Sequence, residues 1–530
     1  MKWEILGSGK DVVKTLLKNR GIIDSKEFFN PKDPSKITLK DLGIKEESIK
    51  KTIKRVKQAK DKKEQVIIYG DYDADGICAT AILWESLHEF GLNVLPHIPD
   101  RFNEGYGINA KSVQDLKSKI PNLTLIITVD NGIVGYEGIK KAKELGIDAI
   151  VLDHHTKGVK KLATYYILHT TTVCGSGLAY FFSKELGINK GLDLAAIGTI
   201  ADQMPLVGIN RSLVKYGLPI LKNTKRLGLK TLLSDAKVEN VGTYEVNYII
   251  APRINAMGRL AHGIDSLRLL CTTKNDRAQE LSKLLTKTNS DRQSIVEVVV
   301  AHALRQAQGT RMEGVIVMAS KSYHEGVIGL AAGKLVEEFY RPAIVISIGK
   351  EKSKASARSI SGFNIIEAIK ATGLIMEGGG HPMAAGFSIE TAKITEFTQK
   401  INKLSAELLT DELLTKKIKV DMELDFDQLN YELLEKLNQF EPVGLGNPGP
   451  TFIAKDVEVK EVKTVGKEAK HLKITLKQDE YFFDSIYFGG GEMYSNLKPG
   501  AKIDIVYQLE DNIWNNQNNL QLKIKDLKTT

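Results

Sequence analysis

The sequence predicts an α/β protein: a doubly wound parallel-sheet domain, a long linking helix, a second α/β domain and a C-terminal β-barrel. One observation behind this is a set of three strand-like apolar runs, each ending in an aspartate. They read Val66-Ile67-Ile68-Tyr69-Gly70-Asp71-Tyr72-Asp73-Ala74-Asp75-Gly76, Leu125-Ile126-Ile127-Thr128-Val129-Asp130-Asn131-Gly132 and Ala149-Ile150-Val151-Leu152-Asp153-His154-His155. Near-continuous β-branched runs mark parallel strands buried on both faces. The others are a run of apolar residues at helical spacing between 275 and 309, and a change to short alternating strands after Glu441.

In chain order, residues 1–64 read as a basic helical segment, broken at Pro31 and Pro34. Over 65–205 strands alternate with helices (one of them over 79–90), the pattern of a parallel doubly wound sheet. A mostly helical region follows over 206–309. Within it Asn275 and Asp276 cap a run carrying Leu281, Leu284, Leu285, Ile295, Val299 and Leu304, closed by Gly309. Such a helix spans roughly 50 Å at ~1.5 Å per residue and suits the task of holding two lobes apart. A second α/β domain is expected over 310–412, from Gly314-Val315-Ile316-Val317-Met318 past Pro342-Ala343-Ile344-Val345-Ile346, and then a linker over 413–440. Over 441–530, Gly444-Leu445-Gly446-Asn447-Pro448, Gly489-Gly490-Gly491 and Pro499-Gly500 separate short strands, and the length suits a small barrel.

The bulk numbers exclude several classes. A chain of 530 residues is too long for one core, and 42% hydrophobic with 26% charged residues is a soluble globular composition. No apolar run approaches the ~18 residues of a membrane span. Met1-Lys2-Trp3-Glu4 lacks the apolar stretch of a signal peptide, and Cys78, Cys174 and Cys271 are too scattered for a disulfide framework or a zinc knuckle. A cytoplasmic protein is expected. The net charge of +9 is compatible with a polyanionic partner. Residues 1–64 hold 18 Lys/Arg against 10 Asp/Glu, an excess that reads either as a solvated lysine face or as a nucleic-acid contact. The region from Glu441 on is nearly neutral, with 12 Lys and 13 acids.

Ligands of open α/β sheets sit at the carboxyl ends of the strands. Five aspartates and two histidines therefore converge on one crevice. An aspartate after a strand is usually a cap or a turn former, and Asp71 alone would be read that way. Asp73 and Asp75 put two more acids in the same turn, and so much uncompensated charge requires divalent cations. Oxygen ligands with an imidazole suit Mn²⁺ or Mg²⁺.

The Asp-x-Asp-x-Asp-Gly turn, the Val-Asp-Asn-Gly turn and the Asp-His-His triplet resemble those of the DHH phosphoesterase superfamily. Further stretches are similar to its RecJ branch of single-strand-specific DNA exonucleases. These are Ile98-Pro99-Asp100-Arg101, Gly198-Thr199-Ile200-Ala201-Asp202, Pro252-Arg253-Ile254-Asn255-Ala256-Met257-Gly258-Arg259, His324-Glu325-Gly326-Val327-Ile328-Gly329 and Gly378-Gly379-Gly380-His381. The match runs from about Val66 to the C-terminus. It implies the order DHH catalytic domain, linking helix, DHH-associated domain, OB-fold.

Phosphodiester cleavage needs a hydroxide nucleophile and charge stabilisation, which two cations ~3.5–4 Å apart supply. Asp130, alone at its strand tip, is the natural bridge between them. The resemblance implies that Asp71 and Asp73 hold one ion, that Asp75, His154 and Asp202 hold the other, and that His155 faces the scissile phosphate. Asp153 reads as the acceptor that orients an imidazole. Arg101, Ser356, Arg358 and His381 form a second set: arginine forks match phosphate oxygens, and serine adds a donor. Ser356 and Arg358 share one face of an extended strand. Gly379 and Gly380 let backbone amides approach an anion. The resemblance implies that this lobe binds the 5′ end, although Pro382-Met383 departs from the small residues common in relatives. Arg253, Asn255 and Arg259 read as lining the strand's path. Among Phe452, Tyr487, Phe488 and Trp514, which could stack on bases, Trp514 reads as the exposed one.

The reading is a two-metal, Mn²⁺- or Mg²⁺-dependent exonuclease that degrades single-stranded DNA from the 5′ end to 5′-mononucleotides. Polarity and DNA preference come from the resemblance, as do a role in DNA repair and recombination and the partners single-strand-binding protein and a RecQ-type helicase. A monomer is expected. One rival is a phosphodiesterase of short oligonucleotides or cyclic dinucleotides, a class that often lacks the OB-fold. Another is a non-enzymatic DNA-binding scaffold, against which stands the filling of every ligand position.

Overall fold

The computed structural model describes residues 1–307, 314–514 and 517–529. Five parallel strands form the first sheet, in the spatial order Asn93–His97, Gln65–Tyr69, Leu123–Val129, Asp148–Asp153, Tyr166–His169. Counted along the chain this is order 2-1-3-4-5, so the winding reverses between Gln65–Tyr69 and Leu123–Val129. Both faces are covered. Val66 and Ile68 feed one core while Ile67 and Tyr69 feed the other, which is why the run is apolar throughout. The helices Ala74–Phe90, Gly175–Glu185 and Leu192–Ala201 cover the first face, and Ala110–Lys119 and Tyr136–Glu144 the second.

The helical region joins the first of these cores through Leu213, Leu229, Ile254 and Leu267. The helix Asn275–Ala307 begins in that core with Leu281 and Leu285 and reaches the second lobe with Val299 and Ala303. One continuous element thus sets the separation of the lobes. Gly309, expected to close it, lies outside the described residues. The second lobe holds a sheet ordered Ile375–His381, Ala384–Glu390, Lys352–Arg358, Ala343–Ser347, Ile316–Ser320, of which the last two are parallel and the others antiparallel.

At the C-terminus, Phe452–Val465, His471–Gln478, Tyr481–Tyr487, Gln517–Thr529 and Lys502–Trp514 pair in that order, and the first also pairs with the last. The result is a closed five-stranded barrel. Two expectations need correction here. Residues 413–440 are not a linker: Lys417–Val420 pairs with Lys2–Ile5, Met422–Glu423 extends the barrel sheet, and Leu433, Leu434 and Leu437 of the helix Tyr431–Asn438 enter the barrel core. Residues 1–64 are not a separate basic segment either. Leu16 and Phe28 complete the barrel core, while Ile37, Leu39, Ile49 and Val56 join the core of the first sheet. The partners of Leu16 and Phe28 lie at the far end of the chain, so local patterning carries no trace of that pairing.

Arg211 fastens this joint. It is fully buried and donates to the carbonyls of Phe28, Gln439, Phe440, Glu441 and Pro442, with its guanidinium 3.9 Å from the centroid of the Phe28 ring. Burial lowers its pKa to about 10, and carbonyl dipoles rather than a carboxylate hold the charge.

Candidate metal centre

The strand Gln65–Tyr69 runs through Gly70 into a turn that leads directly into the helix Ala74–Phe90. Asp73 caps this helix, its Oδ1 accepting the Gly76 amide at 3.0 Å. The turn is tight enough that a Cβ on Gly76 would stand 2.6 Å from the Asp71 Cβ, so glycine is required there. Asp75 reaches across to the helix Gly175–Glu185 and accepts the amides of Gly175 at 2.7 Å and Ser176 at 3.0 Å. It satisfies a helix start whose own N-cap residue, Cys174, makes no side-chain cap. Asp130 follows its strand with φ +62°, a left-handed conformation that aspartate tolerates better than bulky residues.

Asp153 ends the third strand as a full acceptor. Its Oδ1 takes the amides of His154 (2.7 Å) and His155 (3.1 Å) and lies 2.8 Å from His155 Nδ1, while Oδ2 takes the Ile133 amide at 2.8 Å. Burial alone would raise its pKa, but the bonds from His155 and the amides outweigh that and the carboxyl titrates below its usual value. His155 is correspondingly raised to about 9, Asp153 overcoming the cost of burial, and its Nε2 stands 3.1 Å from the Tyr106 hydroxyl. His154 Nε2 lies 3.0 Å from Asp130 Oδ1, 3.8 Å from Asp202 Oδ2 and 4.0 Å from Asp75 Oδ2. Burial holds this imidazole below its ordinary pKa, in the neutral form a ligand needs. Asp202 arrives from elsewhere, at the C-terminal end of the helix Leu192–Ala201.

Potential ligand atoms fall into three sets, each within 4.8 Å: Asp71, Asp73 and Asp130; Asp75, His154 and Asp202; and Asp130 with both histidines. Asp130 belongs to two of them. Burial, reinforced by the neighbouring carboxylates, raises Asp71, Asp73 and Asp130, and Asp202 is raised to about 8. Asp71 Oδ1 and Asp130 Oδ1 are buried and accept no hydrogen bond among the described residues, the latter having only the ion-pair approach of His154 Nε2 at 3.0 Å. Crowded acids with orphaned oxygens and a neutral imidazole fit hard divalent cations.

Facing the acids is a cleft of about 650 Å³ whose lining includes Arg101, Arg259, Ser356 and Arg358. Arg101 stacks its guanidinium 4.1 Å from the Tyr72 ring centroid and donates to Gly258 O at 2.8 Å. Arg259 is lowered to about 10, first by burial and then by Arg101, Arg292 and Arg358. A Cβ on Gly329 would stand 2.9 Å from Ser356 Oγ and 3.2 Å from Arg358 Nη2, so glycine there leaves those donors their room. Such a concentration of guanidiniums is an anion site.

Some expected residues fall elsewhere. Gly379, Gly380 and His381 lie on the exposed edge strand Ile375–His381 and do not line the cleft, whereas Gly378 does. Pro382 and Met383 form the two-residue turn of the hairpin between His381 and Ala384, which accommodates their departure from small residues. Arg253 does not line the cleft: its Nη1 donates to Ile249 O at 2.8 Å, and the acid that acts on its charge is Asp235. Asn255 is a brace, its Oδ1 accepting the Ala74 amide between Asp73 and Asp75 at 2.7 Å. Phe452 is core and Tyr487 half-buried, while Phe488 and the unforeseen Phe482 are exposed; the Trp514 side chain lies outside the described residues. Sequence reasoning also missed Tyr72, Tyr106 and Arg292. The last sits on the long helix with its Nε buried and without a hydrogen-bond partner among the described residues.

An aspartate-rich strand-tip cluster with a tandem Asp-His-His, faced by a second α/β lobe, defines a DHH-type protein. The DHH family, N-terminal domain, matches residues 65–199, the DHHA1 domain 312–407 and the RecJ OB domain 420–526. The single-stranded-DNA-specific exonuclease RecJ of Bacillus subtilis (strain 168) is 34% identical over 559 residues, covering 99% of this chain and 70% of the relative. That of Haemophilus influenzae is 29% identical, covering 90% of each. The crystal structure of RecJ in complex with Mn²⁺ from Thermus thermophilus superposes with a TM-score of 0.86 at 28% identity, covering 100% of this chain and 80% of that one. For the complex with Mg²⁺ the TM-score is 0.78 at 26% identity, with 100% and 78% covered. The chain belongs to the RecJ family of single-stranded-DNA-specific exonucleases.

Proposed function

We propose that this chain shortens single-stranded DNA from the 5′ end, releasing 5′-mononucleotides by phosphodiester hydrolysis that depends on two Mn²⁺ or Mg²⁺ ions. The observation that carries the reading is the opposition of two clusters of contrary sign, a buried to half-buried acidic one fit for divalent cations and a half-buried basic one fit for a phosphate. Asp71 and Asp73 hold one ion, Asp75, His154 and Asp202 the other, and Asp130 is shared. When bound, such ions acidify a water and neutralise charge on the reacting phosphate.

The remaining work belongs to the chain's own residues. Asp153 fixes the ring of His155 by its Nδ1, so that Nε2, which meets the Tyr106 hydroxyl at 3.1 Å, can exchange that partner for a phosphate oxygen. Arg101 and Arg358 through their N–H groups and Ser356 through its hydroxyl, with Arg259 behind them, take the terminal phosphate and so set which bond lies over the metals. The enzyme acts as a monomer in cytoplasmic DNA repair and recombination, on strands presented by single-strand-binding protein and a RecQ-type helicase; copurification of those two proteins with the chain tests that part. No helix among the described residues is long and apolar enough to cross a membrane.

Digestion of 5′- and 3′-labelled single strands side by side, with Mn²⁺, Mg²⁺ or EDTA, tests the activity. The 5′ label should appear at once as a mononucleotide while the 3′-labelled strand shortens stepwise, and EDTA should stop both. The opposite pattern would reverse the polarity, and turnover in EDTA would refute the metal dependence.

A further inference from the structure

Close to the metal centre the chain presents two rings to solvent that no core uses. Tyr244 and Tyr248 are 62% and 66% exposed, with centroids 4.8 Å apart and planes inclined by 35°. Tyr244 lies in the helical turn Thr243–Glu245, and Tyr248 in the π-helical turn Val246–Ile250 that continues it. A π-turn inserts one residue and re-aims the side chains beside it, and such insertions recur at functional sites. Here Val246 and Ile250 remain in the core of the first sheet, while Asn247 is half-buried and Tyr248 points outward.

One contact of this segment and two of its neighbours place it. Gln203, which directly follows Asp202, donates from Nε2 to Asn247 Oδ1 at 2.7 Å and to Ile200 O at 3.0 Å. The same helical path continues into Ala251–Leu260, where Asn255 braces the Asp73–Asp75 turn. On the other side, the Leu206 amide donates to Leu445 O at 2.7 Å, in the loop that precedes the barrel. The tyrosine pair is thus tied through Asn247 to Gln203 beside Asp202, and Leu206, three residues beyond Gln203, meets the barrel junction. An intrahelical ring pair contributes only ~0.2–0.5 kcal/mol, too little to explain two large rings left in water.

We propose that Tyr244 and Tyr248 form a stacking step for the nucleobases of a single strand passing between the barrel and the metal centre. The inference rests on the exonuclease reading above and deepens it by assigning the bases, rather than the phosphates, a contact near the site. Its ligand is an unpaired base of any identity, because every base has a π-face and the rings are neutral. A base pair, both faces of which are already stacked in a duplex, would not be accepted.

The test uses the full chain in EDTA, which withholds cleavage, and 5′-phosphorylated single strands carrying one 2-aminopurine at successive positions. Wild type should quench the probe at one or two adjacent internal positions. Tyr244→Ala and Tyr248→Ala should lose that local quench and raise Kd about tenfold (~1.4 kcal/mol, within the ~1–3 kcal/mol of a stacked base), with an unchanged salt slope. Tyr248→Phe should keep both. Tyr248→Trp supplies a second readout, since its fluorescence should be quenched by unmodified oligo(dT). A double alanine variant that binds and quenches like wild type, a phenylalanine variant as impaired as alanine, or an unresponsive tryptophan would each overturn the stacking step. A wild-type chain inert on single strands with Mn²⁺ would instead refute the exonuclease reading, so the two failures are distinguishable.

Discussion

Apart from Asp202, the acids of the metal centre come from strand tips of one sheet and the turns that follow them, whereas the three guanidiniums that line the facing cleft, and a fourth that acts on one of them, come from four places. Arg101 follows the strand Asn93–His97, Arg259 ends the helix Ala251–Leu260, Arg292 rides on the long helix, and Arg358 belongs to the second lobe. Both clusters are at least half-buried and repel themselves, yet one is a local product of the sheet and the other exists only while the long helix holds the lobes in place. The metal centre should therefore behave as a rigid part, and the cleft as an assembled one whose members can be removed singly.

The largest expected effect is on the acidic side. Asp130→Ala should lower single-turnover hydrolysis by about 10³-fold or more, the scale reached when a key electrostatic stabiliser is lost, while Kd for single strands changes little. If Mn²⁺ at saturation restores substantial turnover, Asp130 is not the shared ligand. In chelator, Asp130→Asn should raise the melting temperature, because it removes one of several mutually repelling buried acids and asparagine suits the φ of +62°. A lower melting temperature would mean that repulsion is not what burdens the metal-free fold.

Next in size is Asp153, which touches the histidines rather than a phosphate. Asp153→Asn keeps its shape but cannot accept from His155 Nδ1 and the backbone amides together, so activity or metal affinity should fall about 10–100-fold. Retention of both would show that His155 needs no orienting partner. On the basic side, Arg358→Ala should cost about 10–150-fold on 5′-phosphorylated strands, the equivalent of a charge-assisted hydrogen bond of ~1.5–3 kcal/mol, and distinctly less on 5′-hydroxyl strands. Equal losses on both would make the cleft a general backbone contact instead of an end pocket.

What was legible in the sequence follows the same division. The strand tips announced themselves because a doubly buried strand must be apolar and its terminal acids then stand out; the 2-1-3-4-5 order, with its reversal between the strands that lead to Asp71 and Asp130, was not legible there, because an apolar run does not name its neighbour in the sheet. Arg292 was invisible, since an arginine on a long amphipathic helix ordinarily reads as solvated, and only the approach of Arg259 gives it a role. Asp75 hid its second duty because the helix it caps begins 100 residues later. The joint around Arg211, with Leu16 and Phe28 inside a barrel whose strands start at Phe452, depends on pairings that no local window contains.

That joint also decides how to probe the barrel, where the smallest effect is expected. Removing residues 441–530 would take the barrel strands away from Leu16 and Phe28 and the Glu441 and Pro442 carbonyls away from Arg211, so substitution of the exposed rings is the cleaner experiment. Phe482 and Phe488, each with a lysine within 5.5 Å of its ring centroid, stand on the outer surface. Phe482→Ala with Phe488→Ala should weaken binding of long strands about five- to tenfold without changing the salt slope, as stacking predicts. A flattened slope would mean that lysines, not rings, bind there.

The contrast between a rigid acidic centre and an assembled basic cleft rests on the first holding two cations through a shared Asp130. Calorimetric titration of Mn²⁺ into the chelator-treated chain measures this directly. Two ions per chain should bind, with a rise in melting temperature that tracks Mn²⁺ concentration, and Asp130→Ala should disturb both sites at once while Arg358→Ala leaves both intact. A stoichiometry of one, or an Asp130→Ala chain that still binds two ions with wild-type affinity, would contradict it.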